Sequence, residues 1–303
     1  MTANAARSKP AGVADRWSGP VEFYFRFHTA LVYAFLYLPI LVVVIFAFNG
    51  TDRAVTKWGG FSLKWFGVVF EDEVVKDALT NSFIVAIPNA FLATAFGTMA
   101  ALGLQRVGRK VRTTFDVFTY ISVIVPEIVI ALSTLILFAT GIDAVRSIFG
   151  VRLILGYPTI IAAHVLFNTS LVLLLVRARL SGMDRSLTDA SADLFATPWR
   201  TFTQITFPQL LPAIVAGFLL SFTFSFDDFV ITTFTSGPGS STLPLYIFGQ
   251  VKRGVTPETN AVAAMILGLT VAMLLLGQAI LAWQARRSGR RTGGTMVEIV
   301  TER

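Results

Sequence analysis

The sequence contains no cysteine and few charged residues. Without cysteine there is no disulfide to frame an external loop and no thiol for chemistry. Charged residues make up only 14% of the 303 residues, against about a quarter in a typical soluble domain. Only two histidines are present. His164 and Asn168 are four residues apart on one predicted helix. A metal site needs more ligands than these two, so we interpret them as residues that form hydrogen bonds between helices.

Apolar residues make up 54% of the chain and lie in long runs. Several runs approach or exceed the roughly 20 residues that a helix needs to cross a bilayer, and they do not alternate as barrel strands do. The sequence therefore predicts an all-α membrane protein with six transmembrane helices, at residues 29–48, 81–104, 114–139, 157–176, 210–235 and 260–283. An N-terminal arm (1–28) and a C-terminal tail (284–303) flank the six-helix domain (29–283), which includes a long loop (177–209).

The basic residues are distributed unevenly between the two sides of the predicted membrane domain. Seventeen of the 25 lie in the N-terminal arm, in the loops after the second and fourth spans, and in the tail. The positive-inside rule then predicts that both termini lie in the cytoplasm. The membrane we expect is the bacterial plasma (inner) membrane. Topology therefore explains the net charge of +7 better than binding to nucleic acid, which we do not expect.

Asp227 and Asp228 stand side by side within the fifth predicted span. Each carboxylate costs roughly 2.5–3.5 kcal/mol at the bilayer centre, so the pair must face water, a cation or a protein partner. The pair therefore suggests a pathway for a positively charged solute. On a continuous helix the two side chains point about 100° apart. We expect one of them to face the pathway and the other a neighbouring helix.

Two further residues are candidates for the same pathway. Glu127 follows Pro126 in the third predicted span, where a kink would turn it inward; a buried structural hydrogen bond is the alternative. Phe226 belongs to an aromatic stripe beside the acids with Phe222 and Phe229. A cation–π contact and ordinary packing are both open for this stripe.

The loop at 177–209 has the pattern of two short helices. Apolar residues recur at three- and four-residue spacing up to Leu194 and Phe195, and Thr197-Pro198 begins a second helix as N-cap and first helical residue. Trp199 and Phe202 continue the apolar stripe. This face must be buried against the protein's own bundle or against a separate cytoplasmic protein, and the segment alone leaves both open.

The segment Asp189-Ala-Ser-Ala-Asp-Leu-Phe-Ala-Thr-Pro-Trp-Arg resembles the "EAA" loop of ABC importer permeases. In that family the loop forms coupling helices that dock in a groove of the ATPase subunit. The resemblance implies coupling roles for Asp189, Ala190, Leu194, Phe195, Ala196, Trp199 and Phe202. Asp189 replaces the family's glutamate. Phe195 replaces a glycine, and we expect it to adopt a helical conformation.

The resemblance extends over most of the chain. Ser225-Phe-Asp-Asp-Phe-Val-Ile and Gly254-Val-Thr-Pro-Glu resemble the second permease subunit of spermidine/putrescine importers. Permeases for ferric iron, thiamine, sulfate and phosphonate share this scaffold, so these solutes are alternatives. An ion-coupled secondary transporter is a weaker alternative, because it needs no ATPase dock. An aspartyl-type intramembrane enzyme is weaker still, because neighbouring acids cannot face each other across a substrate.

The resemblance implies a transport subunit rather than an enzyme. It implies a homologous permease subunit, a dimer of ATPase subunits and an extracytoplasmic polyamine-binding protein as partners in the lipid bilayer. The sequence lacks Gly-x-x-x-x-Gly-Lys-[Ser/Thr], the loop that cradles ATP phosphates. We therefore expect no cofactor in this chain and ATP hydrolysis in the partner ATPase.

Overall fold

The computed structural model describes residues 20–51, 57–149, 154–184 and 186–301, and within them the chain is helical apart from turns and one isolated bridge between Asn49 and Phe61. The helices are α1 (Pro20–Ala47), α2 (Lys64–Glu71), α3 (Glu73–Gly103), α4 (Arg109–Ile124), α5 (Glu127–Phe149), α6 (Tyr157–Ser181), α7 (Ser186–Asp193), α8 (Pro198–Thr201), α9 (Phe207–Phe226), α10 (Val230–Thr235), α11 (Leu243–Arg253) and α12 (Pro257–Thr301).

Five helical stretches in this part of the chain are long and apolar enough to cross a bilayer, and the α4–α5 pair gives a sixth crossing if it counts as one span. The prediction of an all-α membrane fold is confirmed. α1 begins at Pro20, inside the predicted N-terminal arm, and residues 1–19 lie outside the described residues. α12 continues as a helix through the region predicted as a tail, up to Thr301.

Three predicted elements differ from the structure. The third span is not one helix, because the chain bends by 108° between α4 and α5 around Pro126. The fifth span ends at Phe226, short of the two acids. The second short helix of the 177–209 loop does not stop before that span. It runs from Pro198 through a π-helical turn at Phe202–Thr206 directly into α9.

α3, α6 and α9 form the centre of the bundle. Val172 and Val176 of α6 pack against Ala101 of α3 and Leu210 of α9, and all four are fully buried. Gly97 lets α3 approach α6 closely, since a Cβ atom there would lie 2.7 Å from the Val172 Cβ atom. Small residues at helix contacts are how membrane helices gain packing energy without a hydrophobic driving force.

α1 and α12 lie beside this centre, and α1 contacts the bundle mainly through α12. Large apolar side chains of α1, among them Phe35 and Tyr37, are mostly exposed. At the far end of α1 the indole Nε1 of Trp65 donates a hydrogen bond to the Asn49 carbonyl at 2.9 Å. This contact fixes α2 beside the end of α1.

Candidate functional site

Two membrane segments are interrupted, and both interruptions carry acids. The chain turns at Val125 and Pro126 between α4 and α5, and α5 begins at Glu127. Between α9 and α10 stand Asp227 and Asp228, followed by Phe229. Proline cannot supply the N–H that a continuous helix needs, which accounts for the first break. The two breaks lie side by side, because all three acids line one pocket.

Asp228 accounts for the second break. Its Oδ1 atom accepts a hydrogen bond from the Ile231 N–H at 3.3 Å. Its Oδ2 atom accepts one from the Thr232 N–H and one from the Thr232 hydroxyl, each at 2.7 Å. A carboxylate at the start of a helix satisfies N–H groups that have no partner within the helix. Asp228 stands two residues before α10, and its side chain holds the first turn of that helix in place.

His164 of α6 contacts the same carboxylate. Its Nε2 atom lies 3.1 Å from Asp228 Oδ2, and its Nδ1 atom lies 2.7 Å from the hydroxyl of Ser225 on α9. Thr232 Oγ1 lies 3.2 Å from His164 Nε2. His164, Ser225, Asp228 and Thr232 are all buried. This network, which we call the histidine–aspartate network, joins α6, α9 and α10.

The order Ser225, His164, Asp228 has the connectivity of a hydrolase triad, yet the geometry favours a structural role. The Ser225 side chain is buried and does not line the acid pocket, so a substrate has no path to its hydroxyl. A nucleophile needs space about 3 Å away for the reacting atom. The prediction that His164 and Asn168 form hydrogen bonds between helices is confirmed, since Asn168 also bonds to Asn89 of α3.

The acid pocket has a volume of about 560 Å³. Asp227 and Glu127 are exposed in the isolated chain, whereas Asp228 is only 8% exposed. Aromatic side chains of α6, α9 and the second break complete the wall, namely Phe167, Phe224 and Phe229. The pocket thus combines two accessible carboxylates, one carboxylate fixed by hydrogen bonds, and aromatic faces.

The expected helical geometry of the two neighbouring acids is wrong. Both acids lie between the end of α9 at Phe226 and the start of α10 at Val230, so no single helix places them 100° apart. They nevertheless differ in role, because Asp227 is open to the pocket and Asp228 is bound by the network. Phe226 lies elsewhere. It is 2% exposed and packs against Phe83 and Phe222, outside the lining of the acid pocket.

The sequence-predicted coupling segment is a compact helical corner. Asp184 accepts a hydrogen bond from the Ser186 N–H at the start of α7, which holds the pKa of its carboxyl group below the usual value. The Thr197 hydroxyl caps α8 by accepting from the Arg200 N–H, as predicted. The Ser191 hydroxyl lies 2.9 Å from the Thr201 hydroxyl and joins the two helices.

Phe195 ends α7 in a left-handed conformation with φ of +55°, so the expectation of a helical conformation is wrong. The Ala196 N–H bonds to the Ser191 carbonyl and the Phe195 N–H to the Ala192 carbonyl, the pair of bonds that defines a Schellman motif. Glycine usually occupies this position because a Cβ atom is unfavourable there. The glycine that the family has at the position of Phe195 was therefore the signal for a left-handed residue after α7.

The corner presents an apolar ridge to its surroundings. Leu194, Phe195 and Trp199 are 81%, 96% and 73% exposed. Asp189 and Ala190 are exposed beside this ridge, whereas Ala196 and Phe202 are half-buried behind it. Contiguous exposed apolar residues of this size mark a binding surface for another protein or for a membrane.

The fold and the site together are those of a membrane-embedded helical subunit with an acid pocket between its helices and an exposed apolar ridge. Residues 93–290 match the family described as binding-protein-dependent transport system inner membrane component, and this range includes the ridge and the acid pocket. The chain belongs to this family.

Two curated relatives are similar over most of their length. The putrescine transport system permease protein PotI of Escherichia coli (strain K12) is 41% identical over 78% of this chain and 83% of the relative. The spermidine/putrescine transport system permease protein PotC of Haemophilus influenzae is 37% identical over 82% of this chain and 93% of the relative. A crystal structure of a bacterial ABC transporter involved in alginate import has the same fold, with a TM-score of 0.68, 17% identity, and coverage of 88% of this chain and 95% of that one.

The histidine–aspartate network predicts that His164→Ala destabilises the protein by about 3 kcal/mol, because Asp228 and Ser225 lose a buried partner. The measurement is the thermal midpoint of the purified chain in detergent. His28→Ala on exposed α1 is the control, with no expected change. Equal midpoints for the two variants would contradict a stabilising role for the network.

The left-handed conformation of Phe195 predicts that Phe195→Gly stabilises the end of α7 by about 1 kcal/mol, because the Cβ atom is removed. Phe195→Ala is the matched control, since it removes the exposed ring and keeps the Cβ atom. Amide hydrogen exchange of residues 192–196 measures the effect. Slower exchange in the glycine variant alone is the expected result, and equal rates in both variants would count against it.

Proposed function

We propose that this chain is the permease subunit of an ATP-driven importer for polyamines such as putrescine and spermidine. The observation that carries the proposal is the acid pocket, where Glu127, Asp227 and Asp228 converge at two breaks in the membrane helices. The two permeases named above point to the same cargo. Carboxylates in the pocket would repel sulfate and phosphonate, because both are anions, and this argues against these two solutes as the cargo.

The pocket suits a flexible chain with separated positive charges. Two unit charges 4 Å apart attract by about 4 kcal/mol at an effective dielectric constant of 20, enough to offset part of an ammonium group's desolvation. Asp227 and Glu127 offer carboxylates from different helices, so they suit ammonium groups at different positions along a polyamine. Phe224 and Phe229 add faces for cation–π contacts.

His164 acts through Asp228 in this proposal. By holding the Asp228 carboxylate in the α9–α10 break, it fixes the backbone from which Asp227 reaches the pocket. We therefore assign substrate contact to Asp227 and Glu127, and a positioning role to Asp228 and His164.

The exposed ridge is the proposed dock for an ATPase subunit. α8, the π-helical turn and α9 form one helical stretch of 29 residues, from Pro198 beside the ridge to Phe226 beside the acids. At 1.5 Å per residue it is about 40 Å long, enough to cross the membrane. A displacement of the ridge when the ATPase closes on ATP would therefore reach the acid pocket through one element.

The remaining parts of the importer follow from family membership. We propose a homologous permease subunit, a pair of ATPase subunits that hydrolyse ATP, and an extracytoplasmic polyamine-binding protein as partners. Both termini and the ridge would lie in the cytoplasm, as the distribution of basic residues indicates. An even number of crossings agrees with this, provided that α4 and α5 together cross once.

The uptake of labelled putrescine and spermidine tests the acid pocket in cells that lack other polyamine importers and co-express the partner subunits. Asp227→Asn should raise the apparent KM by about tenfold or more, because a charge-assisted contact worth about 1.5–3 kcal/mol is lost. Its stability and ATPase binding should stay normal. Asp228→Asn should instead lower the amount of folded protein, because it weakens the histidine–aspartate network.

Glu22→Gln on exposed α1 is the control for loss of one negative charge. Wild-type uptake by the Asp227→Asn, Glu127→Gln double variant would contradict a cation pathway through this pocket. Loss of ATPase binding together with loss of uptake would point to assembly rather than to substrate contact.

The ridge predicts that Phe195→Ala with Trp199→Ala weakens co-purification of the ATPase by tenfold or more, because large exposed side chains dominate binding at such surfaces. Phe35→Ala with Tyr37→Ala removes two exposed aromatic rings from α1 and serves as the control. Unchanged co-purification by the ridge variant would contradict docking through this face.

A further inference from the structure

A long apolar groove lies between α3, α4, α5 and α6, and a basic pocket adjoins its end between α3, α4 and α6. The groove has a volume of about 1200 Å³, and its wall includes Phe118 and Leu173. The basic pocket has a volume of about 440 Å³, and its wall includes Arg106, Arg112 and Arg177. Val125 lines both the groove and the acid pocket, whereas Glu127, Asp227 and Asp228 line neither the groove nor the basic pocket.

The two cavities share the same helix faces. On α4, Arg112 of the basic pocket is followed at three-residue spacing by Phe115 and Phe118 of the groove. On α6, Leu173 of the groove is followed one turn later by Arg177 of the basic pocket. Residues three and four apart lie on one face of a helix. A ligand in the groove therefore has the guanidinium groups at one end.

The charges in the basic pocket are not all neutralised. Arg177 forms a two-pronged ion pair with Asp116. The Asp184 carboxylate is engaged at the start of α7. Within the described residues, Arg106 and Arg112 form no ion pair or hydrogen bond of their side chains, and both are exposed. Two guanidinium groups thus remain for an anion, and arginine binds phosphate through paired N–H donors.

The groove suits hydrocarbon rather than a polar ligand. Sixteen of its 22 lining residues are apolar, and the other six are serine or threonine. Among these six, the Thr119 and Thr134 hydroxyls each donate a hydrogen bond to a carbonyl of their own helix. From Pro158 to Leu173 along α6 the groove is about 22 Å long at 1.5 Å per residue, which exceeds the thickness of about 15 Å of one leaflet of the hydrocarbon core. The groove is therefore long enough for the acyl chains of one leaflet.

We propose that the groove and the basic pocket together bind an anionic phospholipid, with its phosphate at Arg106 and Arg112 and its acyl chains in the groove. Basic pockets between membrane helices at the cytoplasmic side are a known setting for anionic headgroups. A free phosphate would use the basic pocket but leave the groove empty. Lipid binding at this site does not depend on which solute is transported. A test of the lipid site therefore does not test the proposed polyamine pathway.

The test uses the full chain purified in detergent and native mass spectrometry with added dioleoyl phosphatidylglycerol or dioleoyl phosphatidylcholine. Arg106→Gln with Arg112→Gln should weaken binding of phosphatidylglycerol by about thirtyfold, at about tenfold per 1.4 kcal/mol and about 1 kcal/mol per arginine. Binding of phosphatidylcholine should not change. Equal retention of the two lipids by the wild-type chain would overturn the proposal.

The matched control is Arg109→Gln with Lys110→Gln, which removes the same charge from the start of α4 outside both cavities. It should change phosphatidylglycerol binding by less than about threefold, since neither side chain lines the groove or the basic pocket and an exposed charge outside a site contributes little. An effect as large as that of the first pair would show that general surface charge, and not the basic pocket, attracts the lipid, and would overturn the proposal. Displacement of phosphatidylglycerol by millimolar inorganic phosphate would also overturn it, in favour of a free anion.

A photoreactive phenylalanine analogue in place of Phe118 tests the groove itself, because this side chain is 67% exposed and lines the wall. In the importer assembled with its partner subunits, cross-linking to phospholipid supports the proposal. Cross-linking to the second permease subunit would show that protein covers the groove, and would overturn it.

Discussion

The buried carboxylate of Asp228 is the constraint on which the rest of the site depends. A charged group within a membrane bundle is tolerated only when it is paired and hydrogen-bonded. Here two backbone N–H groups, the Thr232 hydroxyl and the His164 imidazole surround it. These bonds end one helix, begin another and fix both against α6. The exposed position of Asp227 is a consequence, because the chain leaves α9 just before the network.

The break also explains how the two ends of the molecule are connected. The helical stretch that carries the exposed ridge at one end stops at the acids at the other. Its π-helical turn at Phe202–Thr206 lies next to the ridge rather than next to the pocket. Such turns occur often at functional sites.

Much of this arrangement could be predicted from the sequence. Long apolar runs required membrane helices, Thr197-Pro198 marked a helix start, and the cost of Asp227 and Asp228 in an apolar run pointed to a special site. The misplaced elements had specific causes. The residues on both sides of the two acids are apolar, as in a continuous span. Hydropathy therefore could not show that the Asp228 side chain bonds to the first turn of a new helix. Phe195 is left-handed because the Schellman hydrogen bonds outweigh the preference of its side chain.

The sequence by itself determined the class of fold, the approximate spans and the acids that matter, because these follow from the free energy of placing each residue in a bilayer. Only the tertiary structure decided the surroundings of each acid, namely which are open to the pocket and which is held by hydrogen bonds. Glu127 is 100 residues from Asp227 in the chain, and His164 reaches Asp228 across 64 positions. Such contacts depend on how α5, α6 and α9 pack, which no local pattern records. The same packing removed Phe226 from the pocket and placed Phe224 and Phe229 in its wall.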